Sequence, residues 1–488
     1  METQAASLPS AGLAPARPLV VDLDGTLLTT DTLWESCLLL LRRRPLDLLR
    51  FPAWLRHGKA HFKRRIAERV VPEPDALPYN QEVLTFVQQA QAAGRPVVLA
   101  TAADRRVAEP IAEHLGGFAH VVASDGATNV RGAAKLAAVQ AIPAAAAGFD
   151  YIGDAPADQV LWEAAEGGYL VAPTLRLERR ARERAHIEGV FAGTRSSAVS
   201  TWARALRLHQ WVKNLLIGVP LLVGHRFGEV DLLLAVLLAF VAFGLCASGV
   251  YVLNDLVDLE ADRRHARKRW RPFAQGSLPI QHGVAAIPLL VLSGLGLAFG
   301  LLPATFGGIL LLYLAITTAY SFYLKRVLLV DVVVLAGLYA IRLFAGGVVA
   351  GIALSPWLLA FSIFIFFSLA LMKRYAELVL MQRERTAEAR GRGYRADDGD
   401  LLRSLGTASG LVAVLVLALY INSDQVVSMY SRPELLWLVG PPLLYWISRM
   451  WMVAHRGGMH DDPIVYTIKD RVSYLVGGTI VLVIALSI

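Results

Sequence analysis

Asn254-Asp255-Leu256-Val257-Asp258-Leu259-Glu260-Ala261-Asp262 joins a long apolar run to a burst of arginines. On one continuous helix, Asp255, Asp258 and Asp262 fall at i, i+3 and i+7 and share a face. Three carboxylates at the end of a membrane helix repel one another and resist burial, so they need a compensating cation. Mg2+ carrying a diphosphate supplies that charge. The plainer alternative is a solvated acidic helix end salt-bridged to Arg263, Arg264 and Arg267. Asn254 before the first aspartate, and the membrane span leading into it, favour the diphosphate site.

Working outward, the 488 residues are 55% hydrophobic with a mean hydropathy of +0.47, too apolar for one soluble domain. From about residue 205 onward, apolar runs long enough to cross a bilayer recur. Nine spans are expected, near 208–224, 232–253, 283–302, 305–322, 328–350, 355–372, 404–421, 434–454 and 472–488. Earlier in the chain, short apolar strands alternate with Ala-rich amphipathic segments, the pattern of an α/β domain. The expected organisation is a disordered N-terminus (1–16), an α/β domain (17–173) with a small helical cap at about 31–80, a helical juxtamembrane linker (174–204), and an all-α membrane domain (205–488).

The first residues lack the apolar centre of a signal peptide, which predicts that the α/β domain stays in the cytoplasm. Whereas the loops on the opposite side carry little beyond Arg226 and Arg432, the loop after the second span carries Arg263, Arg264, Arg267, Lys268, Arg269 and Arg271, and that after the sixth Lys373, Arg374, Arg383, Arg385, Arg390, Arg392 and Arg395. By the positive-inside rule these loops face the cytoplasm, so an inner-membrane protein with its chemistry on that side is predicted. The net charge of +8 lies beside apolar spans, which points to anionic headgroups and phosphorylated substrates rather than nucleic acid. Cys37 and Cys246 give no disulfide framework.

Over roughly residues 200 to 488 the chain resembles the UbiA superfamily of intramembrane prenyltransferases, whose first acidic motif reads N-D-x-x-D-x-x-x-D on the second helix. Within it, Gln210-Trp211-Val212-Lys213-Asn214, Lys373-Arg374-Tyr375-Ala376-Glu377-Leu378 and Asp470-Arg471 look like decaprenyl-phosphate phosphoribosyltransferases, which move 5-phosphoribose from phosphoribosyl diphosphate to a polyprenyl phosphate. Typical prenyltransferases carry a second motif, D-x-x-x-D, after the sixth span; here Lys373, Arg374, Tyr375 and Glu377 stand instead. Two cations and one carboxylate suit an additional phosphate better than a second Mg2+. Lys373 and Arg374 as headgroup anchors are the alternative. The resemblance implies that Asp255, Asp258 and Asp262 hold Mg2+ and diphosphate with Asn254 orienting them. Lys213, Asn214, Arg271, Lys373, Arg374, Tyr375 and Glu377 then serve substrate phosphates. Tyr320 and Lys325 are read either as substrate contacts or as an interfacial anchor pair.

In the first domain, Leu19-Val20-Val21-Asp22-Leu23-Asp24-Gly25-Thr26 is an apolar strand ending in D-x-D-G-T. A strand ending at Thr101, a helix start at Lys135, and Gly153-Asp154 with Asp158 follow in order. Carboxylates at strand ends converge where α/β sheets bind ligands. Together the four motifs resemble the haloacid dehalogenase superfamily of phosphohydrolases, a Rossmann-like fold. That implies Asp22 as nucleophile, Asp24 as general acid and base, and Thr101 and Lys135 on the phosphoryl oxygens. It also implies Asp22 and Asp154 on Mg2+, with Asp158 completing the acidic set as ligand or support. The basic, aromatic-rich cap has two readings, as a surface for anionic lipid and as a lid over a phosphate substrate.

Together these motifs predict a bifunctional, Mg2+-dependent membrane enzyme. One site joins ribose 5-phosphate to polyprenyl phosphate; the other hydrolyses a phosphomonoester, for which the lipid product's 5-phosphate is the natural candidate. An aromatic prenyltransferase fused to an unrelated phosphatase, and a non-catalytic lipid-binding scaffold, are the alternatives. Membrane lipids are partners in each, and a homo-oligomer is compatible with all three.

Overall fold

The computed structural model describes residues 17–193, 197–265, 267–383, 393–459 and 462–488. Residues 1–16 and the loop arginines Arg385, Arg390 and Arg392 lie outside the described residues. The chain forms two compact units. One comprises the residues up to Ala205 together with Val252–Ala286; the other comprises Leu206–Tyr251 and Ile287–Ile488.

In the first unit the elements run β1 (Leu19–Val21), α1 (Thr32–Arg43), α2 (Phe51–Arg56), α3 (Lys59–Ala67), α4 (Gln81–Ala92), β2 (Val97–Asp104), α5 (Arg105–Leu115) and β3 (Phe118–Ser124). They continue with α6 (Ala133–Gln140), β4 (Asp150–Gly153), α7 (Gln159–Ala164), β5 (Gly167–Val171), α8 (Leu175–Arg184), β6 (Ile187–Phe191) and α9 (Ala198–Ala205). The six strands form one parallel sheet in the order β3-β2-β1-β4-β5-β6. Leu19-Val20-Val21 and Val97-Val98-Leu99-Ala100 are apolar throughout because both faces of the central strands are covered. Leu19 and Val21 join one core and Val20 the other, as the two-residue period requires. Chain order reverses on either side of β1, so the ligand crevice opens at its carboxyl end, where Asp22 stands. The cap helices α1 to α3 close on a small core of Leu40, Trp54, Phe62, Ile66 and Val70. Asp31 starts α1 by accepting from the amides of Leu33 and Trp34.

Two features differ from the sequence expectation. The helical tether expected over 174–204 is replaced at 174–191 by a helix and a strand: α8 is N-capped by Thr174, and β6 pairs with β5, with Leu170 opposite Val190. The arginine-rich α8 masks the short strand behind it, whose alternation is diluted by Gly189. The boundary expected at residue 205 is also crossed, because Val252–Ala286 packs with the α/β unit. The Arg263 guanidinium makes a two-pronged ion pair with Glu35 of α1, at 2.5 and 3.1 Å, and also donates to the Ala274 carbonyl at 2.9 Å. Thr30 donates to the same Glu35 carboxylate at 2.7 Å. Arg264 pairs with Glu73, and Arg42 of α1 reaches Glu260 at 3.6 Å. Thr29 donates to the Gln275 carbonyl at 3.2 Å. Next to it, Gly276 adopts φ +77°, and a Cβ there would lie 2.1 Å from the Thr29 hydroxyl, so only glycine fits. Arg263 and Arg264 therefore have cap carboxylates as partners, which sequence distance concealed.

Arg263 and Glu35 are 8% and 7% exposed, so Arg263→Ala would strand a buried carboxylate. We expect a loss of about 3–5 kcal/mol, read as a lowered denaturant midpoint of the α/β unit. Arg263→Lys recovers only part of it, since an ammonium cannot make the two-pronged contact. Equal midpoints for wild type and Arg263→Ala would show that the pair contributes nothing.

The remaining helices are α10 (Val219–Val223), α11 (Val230–Val257), α12 (Leu259–Arg263), α13 (Ile280–Leu301), α14 (Ala304–Phe322), α15 (Val330–Ala350), α16 (Pro356–Arg383), α17 (Gly399–Ile421), α18 (Asp424–Met429), α19 (Gly440–His455), α20 (Pro463–Lys469) and α21 (Arg471–Ser487). Among the described residues six helices, α11 and α13 to α17, are long and apolar enough to cross a membrane; α20 with α21, bent by 88°, makes a seventh candidate. The expected count of nine single-helix spans is not met. The first expected span is a 3-10 stretch (Leu208–Gly218) followed by the five residues of α10, with Pro220 at the junction. The eighth breaks where Gly440-Pro441-Pro442 follows the 3-10 stretch Pro433–Val439. Proline has no amide hydrogen for the helical ladder and clashes with the preceding turn, so apolar length there does not give one helix.

Candidate active sites

The α/β site sits at the carboxyl ends of β1 and β4. After β1 the chain turns sharply through Gly25 at φ +76°, where a Cβ would meet the Asp154 carboxylate at 2.2 Å. Glycine thus lets the two acidic loops touch. The Lys135 ammonium lies 2.9 Å from Asp22 and 3.3 Å from Asp158, and the Tyr151 hydroxyl donates to Asp158 at 2.8 Å. Asp158 also accepts from the Ala155 amide, so both its oxygens are engaged by protein donors. Asp24 accepts from the Thr32 amide at 2.7 Å. Thr101 is fully buried and its hydroxyl accepts from the Ala103 amide; β2 runs on past it to Asp104.

Ligand atoms of Asp22, Asp154 and Asp158 lie within 4.8 Å of one another, the only such group among the described residues. Burial, reinforced by the Asp22 and Asp158 charges, pushes Asp154 up to about 8, and burial likewise raises Asp22 and Asp24. One lysine does not neutralise this set. A hard divalent cation with oxygen ligands fits the donors and the uncompensated charge.

The N-D-x-x-D motif departs from one continuous helix. Helix α11 stops at Val257, and Asp258 stands between it and α12. The backbone bonds from Asp258 to Asn254 and from Asp262 to Asp258 survive, at 2.9 and 2.8 Å, so the register is kept. Asp255 and Asp262 converge on Arg271, whose guanidinium bridges them at 3.1 and 2.5 Å. Arg271, expected on a phosphate, is thus a counter-ion to the aspartates. Asn254 and Asp258 are half-buried beside them.

In the second unit two clusters take up the other expected residues. Lys213 and Lys373 both donate to one oxygen of Asp462, at 2.8 and 3.0 Å, and the Tyr339 hydroxyl donates to the same carboxylate. Asn214 accepts from Arg342 of α15 at 2.9 Å. Arg342 is 4% exposed and reaches Tyr313 and the Leu338 carbonyl; no carboxylate partners it among the described residues. With Lys213, Lys373 and Arg342 against Asp462, positive charge is in excess.

Arg374, beside Lys373, belongs to a separate network. Its guanidinium meets Asp331 at 2.5 Å, Glu377 at 2.8 Å and the Tyr320 hydroxyl at 2.6 Å, while Tyr394 donates to Asp331. Arg374 and Asp331 are 2% and 0% exposed. Three expected substrate residues, Tyr320, Arg374 and Glu377, therefore bind one another. Tyr375 is buried against Trp451, with its hydroxyl 2.7 Å from His455. Lys325 lies half-buried in the turn after α14. Asp462, Tyr339 and Arg342 were missed. Arg342 had a signal, a charge in the middle of an apolar span; Asp462 and Tyr339 had none that spacing could supply.

A parallel α/β unit with a buried acidic cluster, joined to membrane-length helices, defines a membrane protein with an α/β domain suited to hold a divalent cation. Residues 215–467 match the UbiA prenyltransferase family and residues 19–163 the haloacid dehalogenase-like hydrolases. The chain belongs to the UbiA family, with a haloacid dehalogenase-like domain before it, and is a multi-pass membrane protein. It is 39% identical over 466 residues to the uncharacterized protein y4nM of Sinorhizobium fredii, covering 95% of this chain and 89% of that one. It is 34% identical over 293 residues to a decaprenyl-phosphate phosphoribosyltransferase of Mycobacterium tuberculosis, covering 59% of this chain and 94% of the relative. A UbiA homologue from Archaeoglobus fulgidus, solved with GPP and Mg2+, aligns over 58% of this chain and 99% of its own at 15% identity and a TM-score of 0.44.

Proposed function

We propose that the membrane domain transfers 5-phosphoribose from phosphoribosyl diphosphate to a polyprenyl phosphate, and that the α/β domain hydrolyses the 5-phosphate of the product. The observation that carries the first half is the excess of positive charge at Lys213, Lys373 and Arg342, Lys373 standing where ordinary prenyltransferases place a second acidic motif. Likeness to a relative named for that reaction, over 94% of its length, supports it. A phosphate oxygen of the lipid attacks ribose C1, the bond from C1 to the diphosphate oxygen breaks, and diphosphate leaves with the electron pair. Asp255, Asp258 and Asp262 would hold Mg2+, which when bound offsets the charge gathering on that leaving group. Arg271 keeps the aspartates together before substrate arrives. Lys213 and Lys373 serve the lipid phosphate, with Asp462 holding the two ammonium groups side by side.

In the α/β domain an Asp22 oxygen attacks phosphorus and the ester P–O bond breaks, Asp24 giving its proton to the leaving sugar oxygen. Water then cleaves the aspartyl phosphate, Asp24 taking the proton back, and inorganic phosphate departs. Asp22 and Asp154 would hold the Mg2+ that offsets phosphoryl charge. Lys135 neutralises a phosphoryl oxygen, and Asp158 fixes Lys135. Thr101, through its turn with Ala103, shapes the loop beside them. We further propose an inner-membrane location with both sites cytoplasmic, the three broken apolar segments completing nine crossings.

The test is the purified protein in detergent with Mg2+, phosphoribosyl diphosphate and a polyprenyl phosphate, the lipid followed by mass. We expect a gain of ribose without its 5-phosphate. An unchanged lipid, with consumption of a polyprenyl diphosphate and an aromatic acceptor instead, would move the protein to the aromatic prenyltransferases.

A further inference from the structure

The cavity over Asp22 measures about 500 Å3, and its wall is not built from the sheet and cap alone. Pro279, Ile280 and Gln281 contribute to it. They belong to the segment that follows the N-D-x-x-D motif, and Ile280 opens α13, 22 residues long and apolar enough to cross a membrane. The Thr29–Gln275 hydrogen bond, the close approach at Gly276 and the Arg263–Glu35 pair hold this segment against the α/β unit. One wall of a phosphohydrolase-type cavity is therefore the first turn of a membrane-length helix.

The rest of the lining divides by chemistry. Leu33, Leu55, Phe62 and Ile66 of the cap give it an apolar surface. Lys59, Lys63 and Arg131 add positive charge beyond Lys135, which the acidic floor already engages, while the two further acidic lining residues are taken up, Asp31 as the cap of α1 and Asp104 by Arg64 at 3.5 Å. Lys63 is anchored, donating to the Ala102 carbonyl at 2.5 Å and to Asn129 at 3.3 Å, whereas Lys59 and Arg131 are exposed. A single phosphoryl group on a small sugar would occupy the floor and leave both the additional cations and the apolar lining unused.

We propose that this site takes a phosphomonoester whose leaving group carries a second anionic group and an apolar tail. Lys59 and Arg131 receive the second anion, and Pro279, Ile280 and Gln281 receive the start of the tail. A lipid-linked pentose 5-phosphate has that chemistry, with its phosphodiester as the second anion. The inference rests on the phosphohydrolase reading of the Asp22 site and adds which residues receive the leaving group's second anion and its tail.

The test uses the full chain in detergent with Mg2+ and four substrates: p-nitrophenyl phosphate, ribose 5-phosphate, dodecyl phosphate and farnesyl-phosphoryl ribose 5-phosphate. The charged and the apolar contact together predict a kcat/KM for the last about 100-fold above that for ribose 5-phosphate, and the charged contact alone about tenfold above that for dodecyl phosphate. Arg131→Ala and Lys59→Ala each cut the advantage over dodecyl phosphate by about tenfold. Gln281→Trp, which crowds the tail wall from an exposed position, cuts the advantage over ribose 5-phosphate, and Gln281→Asn retains it. Equal kcat/KM for the lipid-linked and free sugar phosphates, with p-nitrophenyl phosphate still hydrolysed, would overturn this inference and leave the phosphohydrolase reading standing. Hydrolysis of none of the four would overturn both.

Discussion

Asp22→Asn is expected to stop release of inorganic phosphate, by about 10^4-fold or more, and to leave the lipid product carrying ribose 5-phosphate. An amide is a poor nucleophile toward phosphorus. It also removes a negative charge from a buried cluster held by a single lysine. The fold should tolerate the change, because Asp22 and Asn have the same shape and Lys135 keeps Asp158 as its partner at 3.3 Å. Mass analysis of the lipid decides the matter: ribose phosphate accumulating in the variant, and ribose in the wild type, is the expected pair. Dephosphorylated lipid from Asp22→Asn would show that the α/β site is not the phosphatase.

The second large effect is at Asp255. It is 2% exposed and bridged to Asp262 by Arg271. Asp255→Asn takes away one carboxylate that would hold Mg2+ and leaves Arg271 weighted toward Asp262. Several kcal/mol of leaving-group stabilisation go with it, about 10^3-fold in ribosyl transfer. Hydrolysis of p-nitrophenyl phosphate at the α/β site should continue, which separates lost chemistry from lost folding. Burial pushes Asp262 up against the pull of Arg271. Undiminished transfer in Asp255→Asn would remove the motif from the reaction.

Much of the fold was legible because its signals are local. Leu19-Val20-Val21 reads as a covered strand, D-x-D-G-T as its terminus, and the long apolar runs from Val230 to Ile421 as crossing helices. The breaks were harder, since Pro220 and Pro441-Pro442 interrupt helices without interrupting hydropathy. Site residues divided in the same way. Asp22, Lys135, Asp154 and Asp158 come together because each follows a strand or opens a helix of one sheet. Lys373, Arg374 and Tyr375 are consecutive, yet the helix turns them toward three different partners, Asp462, Asp331 and His455. Spacing gives the direction of a side chain but not who waits there. The docking of Arg263 on Glu35 spans 228 residues and has no sequence signature.

The Arg374–Asp331 pair also bears on biogenesis. Either charge left without the other is a buried, unpaired ion inside the helix bundle, which costs about 3–5 kcal/mol. Helices α15 and α16, which carry the two, therefore gain by leaving the insertion machinery as a hairpin, with the ion pair already closed. A variant that removes one partner should then fail first in synthesis, as poor membrane integration and rapid degradation, before any defect in catalysis can be measured.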